Sequence, residues 1–320
     1  MHVLHNLHEA REAVKSSCVT IGNFDGVHMG HQKLLWRTRQ KALSVGLASV
    51  VVTFDPHPLR VLVGTHTPPF IALTPQKLEL ISSLGIDFTL CLEFTKNLAA
   101  LEPEEFVKTY LLNGLGMREM VIGYDYAFGR NRKGDFALLS ELGRRFAFQV
   151  EQVGPVLIND AVVSSSRIRD MVQAGLVWEV RPLLGRFYRV EGKVVAGRNR
   201  GGRLLGFPTA NLRLKDELFP QTGVYAVWAE HAGQILPAVA NIGFNPTFGN
   251  HVLSVEVHIL DFAGDIYSQE VRIHFVQRLR SEQKFPDVQA LTSRIREDIL
   301  LARRILASPE AHLVEVESRG

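Results

Sequence analysis

The sequence predicts two folds in succession: an α/β domain on a parallel sheet, then a small antiparallel β-barrel or sandwich ending in one helix. Short β-branched runs alternate with longer amphipathic stretches through the first half, which implies a parallel sheet covered on both faces. After about Arg186 the runs follow one another closely, with Gly201-Gly202, Ala232-Gly233, Asn245-Pro246 and Ala263-Gly264 as turn signals between them. The length of 320 residues, at roughly ~150 per domain, leaves room for two cores.

In order, strands are expected at Cys18–Gly22, Ala48–Phe54, Phe88–Leu92, Glu119–Gly123 and Phe148–Val153. Helices are expected at His31–Ser44, after a Gly-rich turn, at Thr74–Leu84, opened by Thr74-Pro75, and at Glu102–Leu112. The second half reads as strands at Phe187–Ala196, Gly223–Glu230, Leu236–Ile242, Leu253–Leu260 and Glu270–Phe275. Its closing helix, about Pro286–Leu306, carries Val288, Leu291, Ile295, Ile299 and Leu301 mostly on one face. The boundary is expected between Trp178 and Arg186, and the last dozen residues as a frayed tail.

Composition excludes whole classes. Hydrophobic residues at 46% against 22% charged describe a packed globular chain and exclude wholesale disorder. A formal charge of +3 argues for neither a nucleic-acid nor a membrane surface, so neither is expected as a partner. Cys18 and Cys91 sit inside apolar runs and read as buried thiols of a reducing compartment. The N-terminus lacks a basic region followed by a long apolar one, and nowhere do 18 uncharged apolar residues run together. A soluble cytoplasmic protein is expected, and its oligomeric state is left open.

In parallel α/β sheets ligands bind beyond the carboxyl ends of the strands, which directs attention to the loops after Ile21, Phe54 and Ile122. The first of these, Gly22-Asn23-Phe24-Asp25-Gly26-Val27-His28-Met29-Gly30-His31, turns through glycines into a helix N-terminus, a place that favours an anion. Two histidines three apart there can both donate to one phosphate, and no Cys-x-x-Cys or His-Glu-x-x-His accompanies them to suggest zinc. His2, His5 and His8 share the spacing without the glycine turn and read as solvent-exposed. Val163-Ser164-Ser165-Ser166-Arg167-Ile168-Arg169 offers hydroxyls, backbone N–H groups and a guanidinium at a helix start, suited to capping or to a polyphosphate.

From Arg186 to Arg213 seven basic residues face one acid, Glu191, around the loop Gly197–Gly206. This loop suits either phosphate or a solvated hairpin tip. No Gly-x-x-x-x-Gly-Lys-Ser/Thr motif is present, so a Walker-type kinase is not supported. On the strand around Glu256, Val255, Val257 and Ile259 share one face and Glu256, His258 and Leu260 the other. Pattern alone makes Glu256 solvent-facing, and His258 and Asp261 exposed or turn residues.

These stretches carry a resemblance. Asn23 to His31 is similar to the His-x-Gly-His signature of the nucleotidyltransferase superfamily, in the form found in bacterial bifunctional riboflavin kinases/FMN adenylyltransferases. Thr53–Pro58 and Gly123–Arg130 match in order, and Val163–Arg169 resembles the superfamily's Ile-Ser-Ser-Thr-x-x-Arg, with Val163 and Ser166 as departures. Gly206-Phe207-Pro208-Thr209-Ala210-Asn211 resembles the Pro-Thr-Ala-Asn motif of riboflavin kinases, and Asn241–Gly249, Val255–Phe262 and Leu279–Phe285 match the same family.

The resemblance implies a Rossmann-like nucleotidyltransferase domain at 1–183, a riboflavin kinase-type barrel at 184–306 and a tail at 307–320. It implies ATP-dependent phosphorylation of riboflavin to FMN, then adenylyl transfer from a second ATP to give FAD and pyrophosphate, with Mg²⁺ in both. Catalytic roles fall by this resemblance on His28, His31 and Glu256. Phosphate and ATP binding falls on Asn23, Asp25, Gly30, Ser164, Ser165, Ser166, Arg169, Gly206 and Pro208, and the metal on Thr209 and Asn211. Flavin contacts are implied for Asp55, Asp125, Arg280 and Glu282, with Asp55 and Asp125 equally readable as turn formers. Leu279–Phe285 and the final helix are expected to close over the flavin. Two rivals are a single-activity nucleotidyltransferase with an accessory barrel and a non-catalytic flavin-binding protein; the latter should lack one of the two polar constellations.

Overall fold

The computed structural model describes residues 1–64, 67–195, 206–213, 218–245 and 252–313. Packing divides them into two compact units, residues 1–68 with Ala72–Ser165, and Pro69–Ile71 with the chain from Ser166 onward.

The first unit is a six-stranded sheet with every neighbouring pair parallel. Its elements begin with β1 (His2–Leu4), α1 (Leu7–Ala13), β2 (Ser17–Ile21), α2 (Met29–Ser44), β3 (Ala48–Asp55), α3 (Pro58–Val63), α4 (Thr74–Ser83) and β4 (Phe88–Glu93). Then come short helices α5 (Lys96–Ala99), α6 (Pro103–Phe106) and α7 (Asn113–Leu115), β5 (Met117–Gly123), α8 (Phe136–Phe146), β6 (Gln149–Val153) and the small hairpin β7 (Leu157–Ile158) and β8 (Ala161–Val162). The order β1-β4-β3-β2-β5-β6 puts β2 in the middle, and all five of its residues are buried. Successive residues feed opposite faces. Cys18, Val51 and Val121 pack with Leu34 and Leu35 of α2 and Ile81 of α4, while Val19, Val50, Met120 and Ile122 pack with Ala10, Phe106, Leu111 and Leu139. Both faces are therefore apolar, as a parallel sheet between helix layers requires.

All five expected strands of this half exist. Pattern reading passed over β1 and α1, which are too short for a periodic signal, and α8, capped by Asp135 on the Leu138 N–H. The helix expected at Glu102–Leu112 is broken: α6 runs into a π-helical turn at Val107–Leu112 before α7.

The second unit begins with α9 (Ser165–Gln173), whose first residue belongs to the first unit, and α10 (Val177–Leu184). The stretch expected as a boundary is thus largely helical, ended by Gly185 at φ 70°. Strands β9 (Tyr188–Val195), β10 (Ala210–Arg213), β11 (Gly223–His231), β12 (Gln234–Asn245), β13 (Val252–Ile259) and β14 (Glu270–Arg280) close into an antiparallel barrel in the order β10-β13-β12-β11-β14-β9. Tyr188, Tyr225 and Phe275 fill its interior, with ring centroids 5.3 Å (Tyr225–Phe275) and 6.2 Å (Tyr188–Phe275) apart. On the outer face, Glu230, Arg272 and Glu191 stand in register on β11, β14 and β9, and His274 Nε2 lies 3.0 Å from Glu230.

The last helix, α11 (Val288–Leu306), packs on the barrel, but not through the whole expected stripe. Val288 and Leu301 are exposed, and the buried positions are Asp298, Ala302 and Leu306. The reason is Arg280: its guanidinium forms a bidentate ion pair with Asp298, which turns a polar position inward. Nor is the tail frayed throughout. Ala311 is fully buried and its carbonyl accepts from Trp228 Nε1 at 2.7 Å, while Arg181 holds the Glu310 carbonyl. Residues 314–320 lie outside the described residues.

Candidate active sites

In the first unit the chain runs from β2 to β3 and β4 on one side and returns through β5 on the other. The gap between β2 and β5 is the topological switch point where such sheets bind ligands. The loop after β2 stands at its mouth. It turns with Phe24 at φ 51°, Gly26 at φ 78° and Val27 at φ 39°, and both non-glycine residues are buried, so the surrounding packing enforces a conformation side chains disfavour.

His28 caps α2, its Nδ1 accepting the His31 backbone N–H at 3.3 Å. That bond puts the His28 ring proton on Nε2. The two imidazoles stack 3.6 Å apart at 16°, with the edge of Phe24 against His31 at 5.3 Å. Burial, the neighbouring His28 and then Lys77 hold His31 well below the ordinary histidine range, so it stands as a neutral donor. His31 Nδ1 is buried with no hydrogen-bond partner among the described residues. Gly30 is what lets the rings fold back: a Cβ there would lie 3.1 Å from Cε1 of His28.

The turn is anchored from several sides. Asp25 is buried; its carboxylate accepts from the Ala72 N–H at 3.2 Å and its carbonyl from Ser165 Oγ at 3.1 Å. The Asn23 side chain is exposed, and its carbonyl accepts from Thr53 Oγ1 at 3.4 Å. Asp55 is exposed and takes Thr74 Oγ1 at 2.8 Å, the turn-forming alternative in part. Asp125 is exposed just beyond β5. The structure thus brings His28, Gly30, His31, Asp25 and Ser165 together. Ser164 is half-buried in the same unit; Ser166, exposed, and Arg169, whose Nε donates to the Pro69 carbonyl at 3.0 Å, belong to the second unit.

In the barrel, register decides what pattern could not. Glu256 on β13 stands opposite Asn211 of β10 on one side and Asn241 of β12 on the other. Residues directly paired across strands share a face, so three polar side chains form a row on the outer surface while Val255, Val257 and Ile242 point inward. Among the described residues none of these three side chains has a hydrogen-bond partner. Glu256 is half-buried, and that burial raises its pKa above the usual 4.5. It is therefore not the fully solvated carboxylate that alternation suggested.

Around this row, Gly206 has φ 79°, Thr209 is exposed, and the Pro208 carbonyl receives His258 Nδ1 at 2.8 Å with Phe207 edge-on to the His258 ring. His258 is thus neither free nor a turn residue, whereas Asp261 sits in a turn at φ 57° and pairs with Arg303 at 2.8 Å. A Cβ on Gly243 would meet the Glu282 carboxylate, which places Glu282 beside this row. Arg280 is instead engaged with Asp298 and, at 5.7 Å, the Phe285 ring. Residues 196–205 and 246–251, with most of the basic loop and the end of the Asn241–Gly249 stretch, lie outside the described residues. Sequence reasoning passed over Asn241 as a partner of Glu256, because pairing across strands leaves no signal along the chain.

The FAD synthetase family model matches residues 10–167, and the riboflavin kinase model residues 184–306. A bifunctional riboflavin kinase/FMN adenylyltransferase of Pseudomonas fluorescens is 41% identical over 98% of this chain and 100% of its own length. The chain belongs to this family. A relative of the same name from Bacillus subtilis is 37% identical over 93% of this chain and 95% of its own. A solved structure described as a macrolide-efflux protein from Streptococcus pneumoniae superposes with a TM-score of 0.84, at 31% identity over 95% of this chain and 99% of that one. Among the described residues no helix is long and apolar enough to cross a membrane.

Proposed function

We propose that this bifunctional family member runs two successive ATP reactions, phosphorylating riboflavin to FMN in the barrel and transferring an adenylyl group to FMN at the histidine turn, giving FAD and pyrophosphate. The observation that carries the reading is that one chain holds both polar constellations, the stacked His28–His31 pair and the in-register Asn211–Glu256–Asn241 row. A domain limit at 183/184 accords with family matches that end at 167 and resume at 184.

At the histidine turn no nucleophilic side chain is needed, because FMN phosphate attacks the α-phosphorus of ATP and pyrophosphate leaves. His28 Nε2–H and His31 act as neutral donors to the phosphates, with Gly30 keeping the rings in place, and Asn23, Asp25, Ser164 and Ser165 of the same unit line the ATP site. Phosphate binding by Ser166 and Arg169 rests on the resemblance alone. In the barrel, Glu256 takes the proton of the attacking ribityl hydroxyl, and its burial makes it a stronger base than a solvated carboxylate. Gly206 and Pro208 line the ATP side of this site, and Glu282, next to Gly243, the flavin side. Thr209 Oγ and Asn211 Oδ1 would hold Mg²⁺: both are oxygen donors without a protein hydrogen-bond partner among the described residues, the hard ligands that ion prefers. When bound, Mg²⁺ neutralises phosphate charge.

A cytoplasmic location accords with two free, buried cysteines. The deciding experiment incubates the protein with riboflavin, ATP and Mg²⁺ and separates the flavins chromatographically. FMN and FAD are both expected. Neither product overturns the reading, and FMN without FAD leaves the kinase alone.

A further inference from the structure

One buried charge stands outside this scheme. Lys77, only 4% exposed, lies one turn into α4, the helix whose start is tied to the histidine turn and to β3 by the Ala72–Asp25 and Thr74–Asp55 bonds. Its Nζ donates to the carbonyl of Phe54 at 3.0 Å, beside the last residue of β3. Among the described residues that is the one hydrogen bond of an ammonium with three donors, and no carboxylate there comes within ion-pair distance of it. Burying a cation so sparsely partnered is costly, and an apolar side chain would fill the space at less cost. The groups that face it are Asp25, Asp55, the Cys91 thiol and His31.

We propose that Lys77 is a positioning residue for the adenylyl transfer: it pins the end of β3 to α4 through the Phe54 carbonyl and sets a fixed positive charge in the wall of the phosphate site. A buried charge acts through a low dielectric, so it attracts the anionic substrates more strongly than a surface lysine does. The same charge opposes protonation of His31 and keeps that ring a neutral donor. This rests on the reading of His28 and His31 as the transfer site.

The test is steady-state FAD formation from supplied FMN across pH, with riboflavin phosphorylation by the same protein reporting that the chain is folded. Lys77→Met is expected to lower kcat/KM for FAD formation about tenfold or more and to move its acid limb to higher pH, with FMN formation unchanged. Lys77→Gln, shorter and uncharged, carries the same expectation. Lys77→Arg retains the charge and so keeps the acid limb at its wild-type position even where its rate falls. An unchanged rate in Lys77→Met and Lys77→Gln, or a lower rate with the acid limb unmoved, overturns the proposal. His28→Ala measured in parallel separates the two readings: if it too leaves FAD formation intact, the transfer site itself is misplaced.

Discussion

At Glu256 the same burial that costs solvation favours the base role proposed for it. A carboxylate with a raised pKa holds a proton more strongly once it has accepted one, and it works as a base only where it is ionised. FMN formation is therefore expected to fall on the acid side through a pKa above the ordinary 4.5, as a pH profile of kcat/KM would show. Glu256→Gln is expected to lower FMN formation by roughly 10²–10⁴-fold while sparing FAD formation from supplied FMN, and His28→Ala to do the reverse; chromatography of the two products scores both. Gly30→Ala separates stability from geometry. Alanine gains about 1 kcal/mol as a helix former over glycine, against about 1–3 kcal/mol for crowding a packed site, so unfolding in urea should show a net loss of about 2 kcal/mol at most. The Cβ pressed against His28 shifts that ring by only a fraction of an ångström and should nonetheless lower FAD formation, by less than the roughly 10²-fold that a misplacement of about 1 Å costs. His28, Gly30 and Glu256 were singled out by the motifs that carry the resemblance, whereas the N-cap that fixes the His28 tautomer, the space Gly30 leaves for that ring and the asparagines flanking Glu256 were not legible.

Among the elements, the strongest electrostatic feature is the charge ladder across β11, β14 and β9. The His274 ring N–H first, then the charges of His274, Arg272 and Arg189, hold Glu230 at a pKa of about 2 against burial, which acts the other way. A carboxylate depressed in the folded state stabilises the protein fully above its unfolded pKa near 4.5 and loses that contribution as pH falls toward 2. Allowing for its partial exposure, Glu230→Gln is expected to cost about 2 kcal/mol near neutral pH and to flatten the decline below about pH 4.5, checked by urea unfolding at about pH 7 and about pH 3. A strand-by-strand reading sees Glu230, Arg272 and Glu191 as isolated surface charges, because only register sets them side by side. The same limit explains α11, where an apolar stripe predicted its buried face but the Arg280–Asp298 pair rotated part of it outward.

Over the whole molecule, each unit carries its own constellation, the histidine turn in one and the Glu256 row in the other. If the sites act independently, an equal mixture of Glu256→Gln and His28→Ala proteins is expected to convert riboflavin to FAD although neither variant does so alone. Product chromatography checks this, and no FAD from the mixture would mean that both sites must be intact in one chain. The amino-acid sequence by itself determined the order of a parallel sheet followed by a small antiparallel barrel or sandwich, and the residue types able to handle phosphate, because apolar periodicity and short motifs are local properties of the chain. Only the tertiary structure decided that Asn241 flanks Glu256, that Lys77 is buried at the end of β3, that Gly30 makes room for His28, and that the chain to Leu313 docks on the barrel. Those facts depend on strand register and on which segments meet across the core, and spacing along the sequence carries neither.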